Sequence, residues 1–156
     1  MVMIAVAVLV VLVLAGASWY YFAQSSLSAE TKIAWNTEGN LQMAENATGE
    51  IVLSTTGMKF RFDKEGHILT SDGKRMVIAL GLATHARLAL VAVGKPNDKK
   101  IAVPVLTDGQ SLLKYDITSK EIRADPVKGN VVNAYANGTV FMGPDAAGAR
   151  TWRLVS

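Results

Sequence analysis

Two histidines, thirteen acidic residues and no cysteine are what this chain offers for acid–base, covalent or metal chemistry. A zinc or iron centre needs several His, Cys or carboxylate ligands at spacings that bring them together, and no spacing pairs either histidine with a second ligand. His67 falls in the turn Glu65-Gly66-His67 and His85 in the stretch Ala83-Thr84-His85-Ala86, so both read as exposed loop residues. Nucleophilic catalysis fares no better. There is no Gly-x-Ser-x-Gly elbow, and Gly73-Lys74-Arg75 and Gly94-Lys95-Pro96 lack the preceding glycine of a phosphate loop. A carboxylate pair assembled in space is invisible to spacing alone. The one basic-aromatic run, Lys59-Phe60-Arg61-Phe62, alternates as a half-buried strand does, with both rings on one face. The chemistry-bearing residues therefore predict a protein that is not an enzyme, holds no cofactor or metal and binds no nucleic acid.

The absence of cysteine also excludes a disulfide framework and a thiolate zinc site. The net charge of +3 is small and is spread in doublets such as Lys74-Arg75 and Lys99-Lys100, which suit solvated hairpin tips.

What must hold the chain in place is written at its start. From Met1 through Ala29 there is no Asp, Glu, Lys or Arg, and from Val2 to Ala17 nearly every residue is aliphatic or Met. As a helix, Val2 to Phe22 would be about 31 Å long, matching the roughly 30 Å hydrocarbon core of a bilayer. A helix satisfies its own backbone groups in lipid, so the many valines do not argue for a strand. Ile4, Val8, Leu12 and Leu14 lie along this apolar length, and Trp19, Tyr20, Tyr21 and Phe22 close it as an interfacial belt. The competing reading is a cleaved signal peptide, for which Ala15-Gly16-Ala17 supplies a small-residue site, but the basic start of such a signal is missing. A retained single-pass anchor over 1–23 is expected, with a linker over 24–32. In outline this resembles a type IV pilin stalk, yet the pilin pattern has an acid early in the helix, and here the first acid is Glu30. The sequons Asn46-Ala47-Thr48 and Asn137-Gly138-Thr139 favour a head on the far side of the membrane from a short N-terminus.

Beyond the linker the pattern changes to short alternating runs broken by Gly, Asn and Asp, which predict strands and hairpins in one domain over 33–156. The expected strands are Ile33 to Trp35, Leu41 to Ala44, Ile51 to Ser54, Lys59 to Asp63, His67 to Thr70, Met76 to Leu80, Leu88 to Val93, Ile101 to Leu106, Ser111 to Tyr115, Glu121 to Ala124, Val131 to Ala134, Thr139 to Met142 and Thr151 to Val155. Ala79 to Leu90 has helix-forming residues, but Gly81 and the length of the stretch predict a loop feeding a buried strand. Pro104 places its strand at an edge or bulge.

One scheme recurs: an aromatic, Asn or Asp, a turn, Glu, then an aliphatic residue. It appears in Trp35-Asn36-Thr37-Glu38-Gly39-Asn40-Leu41, in Phe62-Asp63-Lys64-Glu65-Gly66-His67-Ile68, and in Tyr115-Asp116-Ile117-Thr118-Ser119-Lys120-Glu121-Ile122, the last without glycine. The ring would enter the core and the short polar side chain would cap the turn by bonding its backbone. Leu113-Lys114-Tyr115-Asp116, Asn133 through Val140, and Arg150-Thr151-Trp152-Arg153-Leu154 resemble one repeat of a ricin-type or fascin-like β-trefoil, with Trp152 as the closing tryptophan. The first third, Asn36 to Met43 with Gly49 to Thr56, is similar instead to the bulb-type mannose lectin repeat. The resemblance implies an all-β domain, a β-trefoil-like barrel of about 12 short strands, with a β-prism or β-sandwich as the alternative.

The trefoil resemblance places the sugar-binding polar residue at Asn133 and the stacking aromatic at Phe141. Arg150 stands where the family has Gln. The bulb-lectin contacts fall at Asn36, Glu38, Asn40, Gln42 and Ala44, of which only one Asn is retained. Such substitutions suit a scaffold kept for its shape. The expected role is a membrane-anchored structural or assembly module whose partners are the lipid bilayer and other proteins of a large complex, of which a virion is one example. The alternative is a membrane-anchored, sugar-binding, lectin-like protein.

Overall fold

The computed structural model describes residues 27–96, 101–125, 130–144 and 150–156. The expected anchor, with Ile4, Val8, Leu12, Leu14, Trp19, Tyr20, Tyr21 and Phe22, lies outside the described residues. No helix among the described residues is long and apolar enough to cross a membrane.

The described chain is all-β. Its strands are β1 (Lys32–Trp35), β2 (Gln42–Glu45), β3 (Ile51–Ser54), β4 (Phe60–Phe62), β5 (Ile68–Thr70), β6 (Arg75–Ala79), β7 (Leu88–Ala92), β8 (Ser111–Asp116), β9 (Glu121–Asp125), β10 (Asn130–Ala134), β11 (Val140–Pro144) and β12 (Trp152–Val155). They form one sheet in the order β12-β1-β2-β3 and another in the order β11-β10-β9-β8-β6-β5-β4, with β7 also paired to β6.

Six strands follow one another in a ring. Ladders join β12 to β1, β4 to β5 and β8 to β9. Between these pairs runs one backbone bond of the same kind each time: Phe60 N–H to Thr31 O at 2.7 Å, Tyr115 N–H to Gly66 O at 2.9 Å and Trp152 N–H to Lys120 O at 2.8 Å. The donor is aromatic in all three, so each contact also delivers a ring to the centre. The other six strands are the pairs β2–β3, β6–β7 and β10–β11, and their turns interlock cyclically. Leu53 donates to Gly138 O at 2.8 Å, Leu90 to Gly49 O at 3.3 Å and Met142 to Ala86 O at 2.7 Å. Each set would otherwise leave strand edges open, and cyclic pairing removes them.

The core runs through both sets. Period-two burial is clearest in β3, where Ile51 and Leu53 point in and Val52 and Ser54 are partly exposed. Trp152 is fully buried beside Phe60, Ile68, Leu113 and Met142. Its indole N–H donates to Val132 O at 3.1 Å and its carbonyl accepts from the Tyr115 hydroxyl at 3.0 Å, so this fully buried ring has its indole donor paired. Phe60 is fully buried and Phe62 packs against the core, as the alternation in Lys59-Phe60-Arg61-Phe62 requires.

Three expectations need correction. Ile101 to Leu106 forms no strand, although Ile101 is buried; Pro104 has no N–H for a ladder, and the segment is held by Gly94 N–H to Val103 O at 3.0 Å. His67 is not an exposed turn residue but is 2% exposed, because the turn before it folds its ring inward onto Asp63. The Trp35–Leu41 copy of the repeat occupies the β1–β2 connection, whereas the other two occupy β4–β5 and β8–β9. Asp63 Oδ1 accepts from Glu65 N–H at 2.9 Å and His67 N–H at 3.0 Å, and Asp116 Oδ1 from Thr118 N–H at 2.8 Å. Asn36 caps nothing in its own turn; its amide donates to Thr151 Oγ1 at 3.1 Å, since the backbone alone closes that turn through Leu41 N–H to Glu38 O at 2.9 Å.

Candidate functional site

The β10–β11 hairpin has two unlike faces. Register pairs Val132 with Met142 and Ala134 with Val140, all in the core, so Asn133 and Phe141, paired directly with each other, lie on the opposite face. Gly143 belongs to that face too, and a Cβ there would collide with the Asn133 amide, which would have to shift to admit it. The turn is built by Asn137, whose Oδ1 accepts from Thr139 N–H at 3.0 Å, and by Gly138 at φ +99°.

Phe141 is 6% exposed. Tyr135 stacks on it from within the hairpin, with ring centroids 4.3 Å apart and planes at 28°, and His85 lies against it from the β6–β7 loop at 5.4 Å. That loop is closed on itself and tied to β11 and β10. His85 N–H donates to Met142 O at 2.7 Å, Leu80 N–H to Arg87 O at 2.8 Å, and the Asn130 amide to Leu82 O. His85 holds φ at +74°, a left-handed backbone on a residue with a Cβ. Such strain persists only where neighbouring bonds fix it, and here it turns the imidazole onto Phe141.

The result is a strip of three rings, His85, Phe141 and Tyr135, rimmed by Asn133 and the exposed Arg87. Tyr135 is 46% exposed and is the ring presented to solvent. Tyr and His rings over a buried Phe, with Asn and Arg at the rim, have the composition of a binding surface. It contains no carboxylate pair and no nucleophile beside a base. The structure thus brings together the two residues the trefoil resemblance singles out, Asn133 and Phe141, and adds Tyr135 and His85. Tyr135 had a signal in the sequence: alternation from Asn133 continues to it. His85 had none, since its contact depends on how a loop folds back. The bulb-lectin positions do not assemble in the same way, for the Asn36 amide bonds Thr151 and Gln42 packs over Gly57.

The second polar feature is internal. His67 Nδ1 lies 2.7 Å from Asp63 Oδ2, with side chains 2% and 5% exposed. Burial by itself raises the Asp63 carboxyl, but the hydrogen bond and charge of His67, helped by the turn N–H groups, outweigh it and leave the carboxyl below its ordinary value. Bonded on both oxygens and sealed from solvent, Asp63 serves the turn. Among the described residues no group of three His, Asp or Glu side chains could hold a metal ion. No protein-family model matches this chain, and no match is found among curated proteins.

Proposed function

We propose that this protein is a non-enzymatic, single-pass membrane-anchored module whose β-trefoil head docks onto other proteins of a large assembly. The trefoil reading is supported by the sixfold ring with its three equivalent aromatic closures, and by the three interlocked hairpins. The tether reading rests on the charge-free stretch from Met1 to Ala29 and its aromatic end. A virion envelope is one membrane in which such a module would serve.

The observation that carries docking over sugar binding is the covering of Phe141 by Tyr135 and His85. A sugar face needs an open ring to stack on, and at this position the ring is closed over. Photo-crosslinking from position 135 in the native membrane tests this. Discrete protein adducts, absent when the crosslinker is moved to exposed Thr107, are expected. The rival lectin reading draws on the exposed Tyr135 ring beside Asn133. Glycan binding by residues 28–156 that is abolished by Tyr135→Ala would establish it instead.

A further inference from the structure

The chain enters the ring at a defined place. Ser28 N–H donates to Phe62 O at 2.8 Å, Phe62 N–H returns to Ser28 Oγ at 2.8 Å, and Thr31 and Phe60 exchange both backbone bonds. The segment leading out of the proposed anchor is therefore laid along β4 and reaches the domain beside the β4–β5 turn. That turn adjoins the β8–β9 turn: the Phe62 and Tyr115 rings are 5.5 Å apart, Glu65 lies 4.0 Å from Lys114, and Tyr115 N–H bonds Gly66 O. The end of β12 is here as well, with Val155 O accepting from Thr31 Oγ1 at 3.1 Å.

At the tip of the β8–β9 turn stands Ile117, 74% exposed. Nothing in the turn's construction requires an aliphatic residue there, since Asp116 closes it through Thr118 and Ser119 N–H groups. Lys120 follows in the same turn and Lys64 stands in the neighbouring one, both exposed, long side chains suited to reaching headgroups from beside an apolar tip. The five steps from Phe22 to Leu27 allow no more than about 18 Å of chain, so this end is held close to the surface in which the anchor sits.

We infer that the β4–β5/β8–β9 end of the domain rests on the bilayer, with Ile117 inserted at the lipid interface and Lys64 and Lys120 at headgroup depth. This rests on the tether reading above. It leaves the Tyr135–His85 strip, on the interlocked hairpins, free for a protein partner.

The native chain has no cysteine, so one introduced thiol carries an environment-sensitive dye uniquely. The full chain is reconstituted in phosphatidylcholine–phosphatidylserine vesicles with dye at Ile117→Cys or Ser119→Cys, and at Ala136→Cys in the β10–β11 turn as reference. Blue-shifted emission quenched by doxyl-labelled lipid is expected at 117 and 119 and not at 136. In the Ser119→Cys chain, adding Ile117→Asp should abolish the quenching while the protein still floats with the vesicles. Water-like emission at 117 and 119 in vesicle-bound protein overturns the inference and leaves the tether standing, as does quenching at 119 that survives Ile117→Asp. Protein that does not float at all overturns the tether itself.

Discussion

Asp63 and His67 sit four residues apart in nothing more than a hairpin connection, yet their side chains are among the most enclosed polar groups described. The carboxylate serves three partners at once, two turn N–H groups and the imidazole. Its lowered value fixes a sign: the contribution to stability is fully present above the ordinary carboxylate value of 3.8 and is lost as pH falls through the lowered folded value. Asp63→Asn should therefore lower stability by about 2–3 kcal/mol at neutral pH. It should also flatten the acid limb of the pH–stability curve, both read from urea midpoints. A variant as stable as the parent, with the same acid slope, would show that the pair is a bystander. From the sequence the aspartate was legible as a turn cap. The histidine was not, because spacing does not reveal that a turn folds a ring into the core.

The two equivalent connections, β4–β5 and β8–β9, solve one problem with different residues. Gly66 has φ +90° and its missing Cβ faces Tyr115 O, which such an atom would approach to 2.9 Å. Lys120 holds the corresponding left-handed conformation at φ +60° with a side chain in place. Left-handed backbone costs a non-glycine residue roughly 1–2 kcal/mol, so Lys120→Gly should stabilise the protein by up to about that amount. Gly66→Ala should destabilise it by more than about 1–2 kcal/mol, since strain and a clash against the ring-closing bond add. Thermal melts of the two variants, moving in opposite directions, check both. The β10–β11 hairpin makes the same point about legibility. The trefoil resemblance singled out Asn133 and Phe141, but their direct pairing is a matter of register, and the His85 loop that covers Phe141 is joined to it by tertiary bonds.

Across the whole molecule, the ring is closed at β9–β12 through Trp152, which is buried, doubly bonded by its backbone and capped at its indole N–H. Trp152→Ala removes the largest fully buried side chain among the described residues and should cost about 3–5 kcal/mol, a large fraction of a typical domain's stability. Tyr115→Phe, which loses only the hydroxyl bond to Trp152 O, should cost about 1 kcal/mol. Denaturant titrations of the pair would separate packing from hydrogen bonding at the closure. Equal losses would mean that the tryptophan's volume is not what holds the ends together.

The strands other than 101–106, the Asp63 and Asp116 turn caps and the all-β class followed from the residues, since period-two alternation and Gly, Asn and Asp punctuation are local properties of a short stretch. The order of strands around the ring, the burial of His67, the cover over Phe141 and the nearness of Ile117 to the chain's entry did not. Each depends on which distant segments meet, and those meetings are decided by the joint burial of a shared core, a quantity that no single stretch of sequence contains.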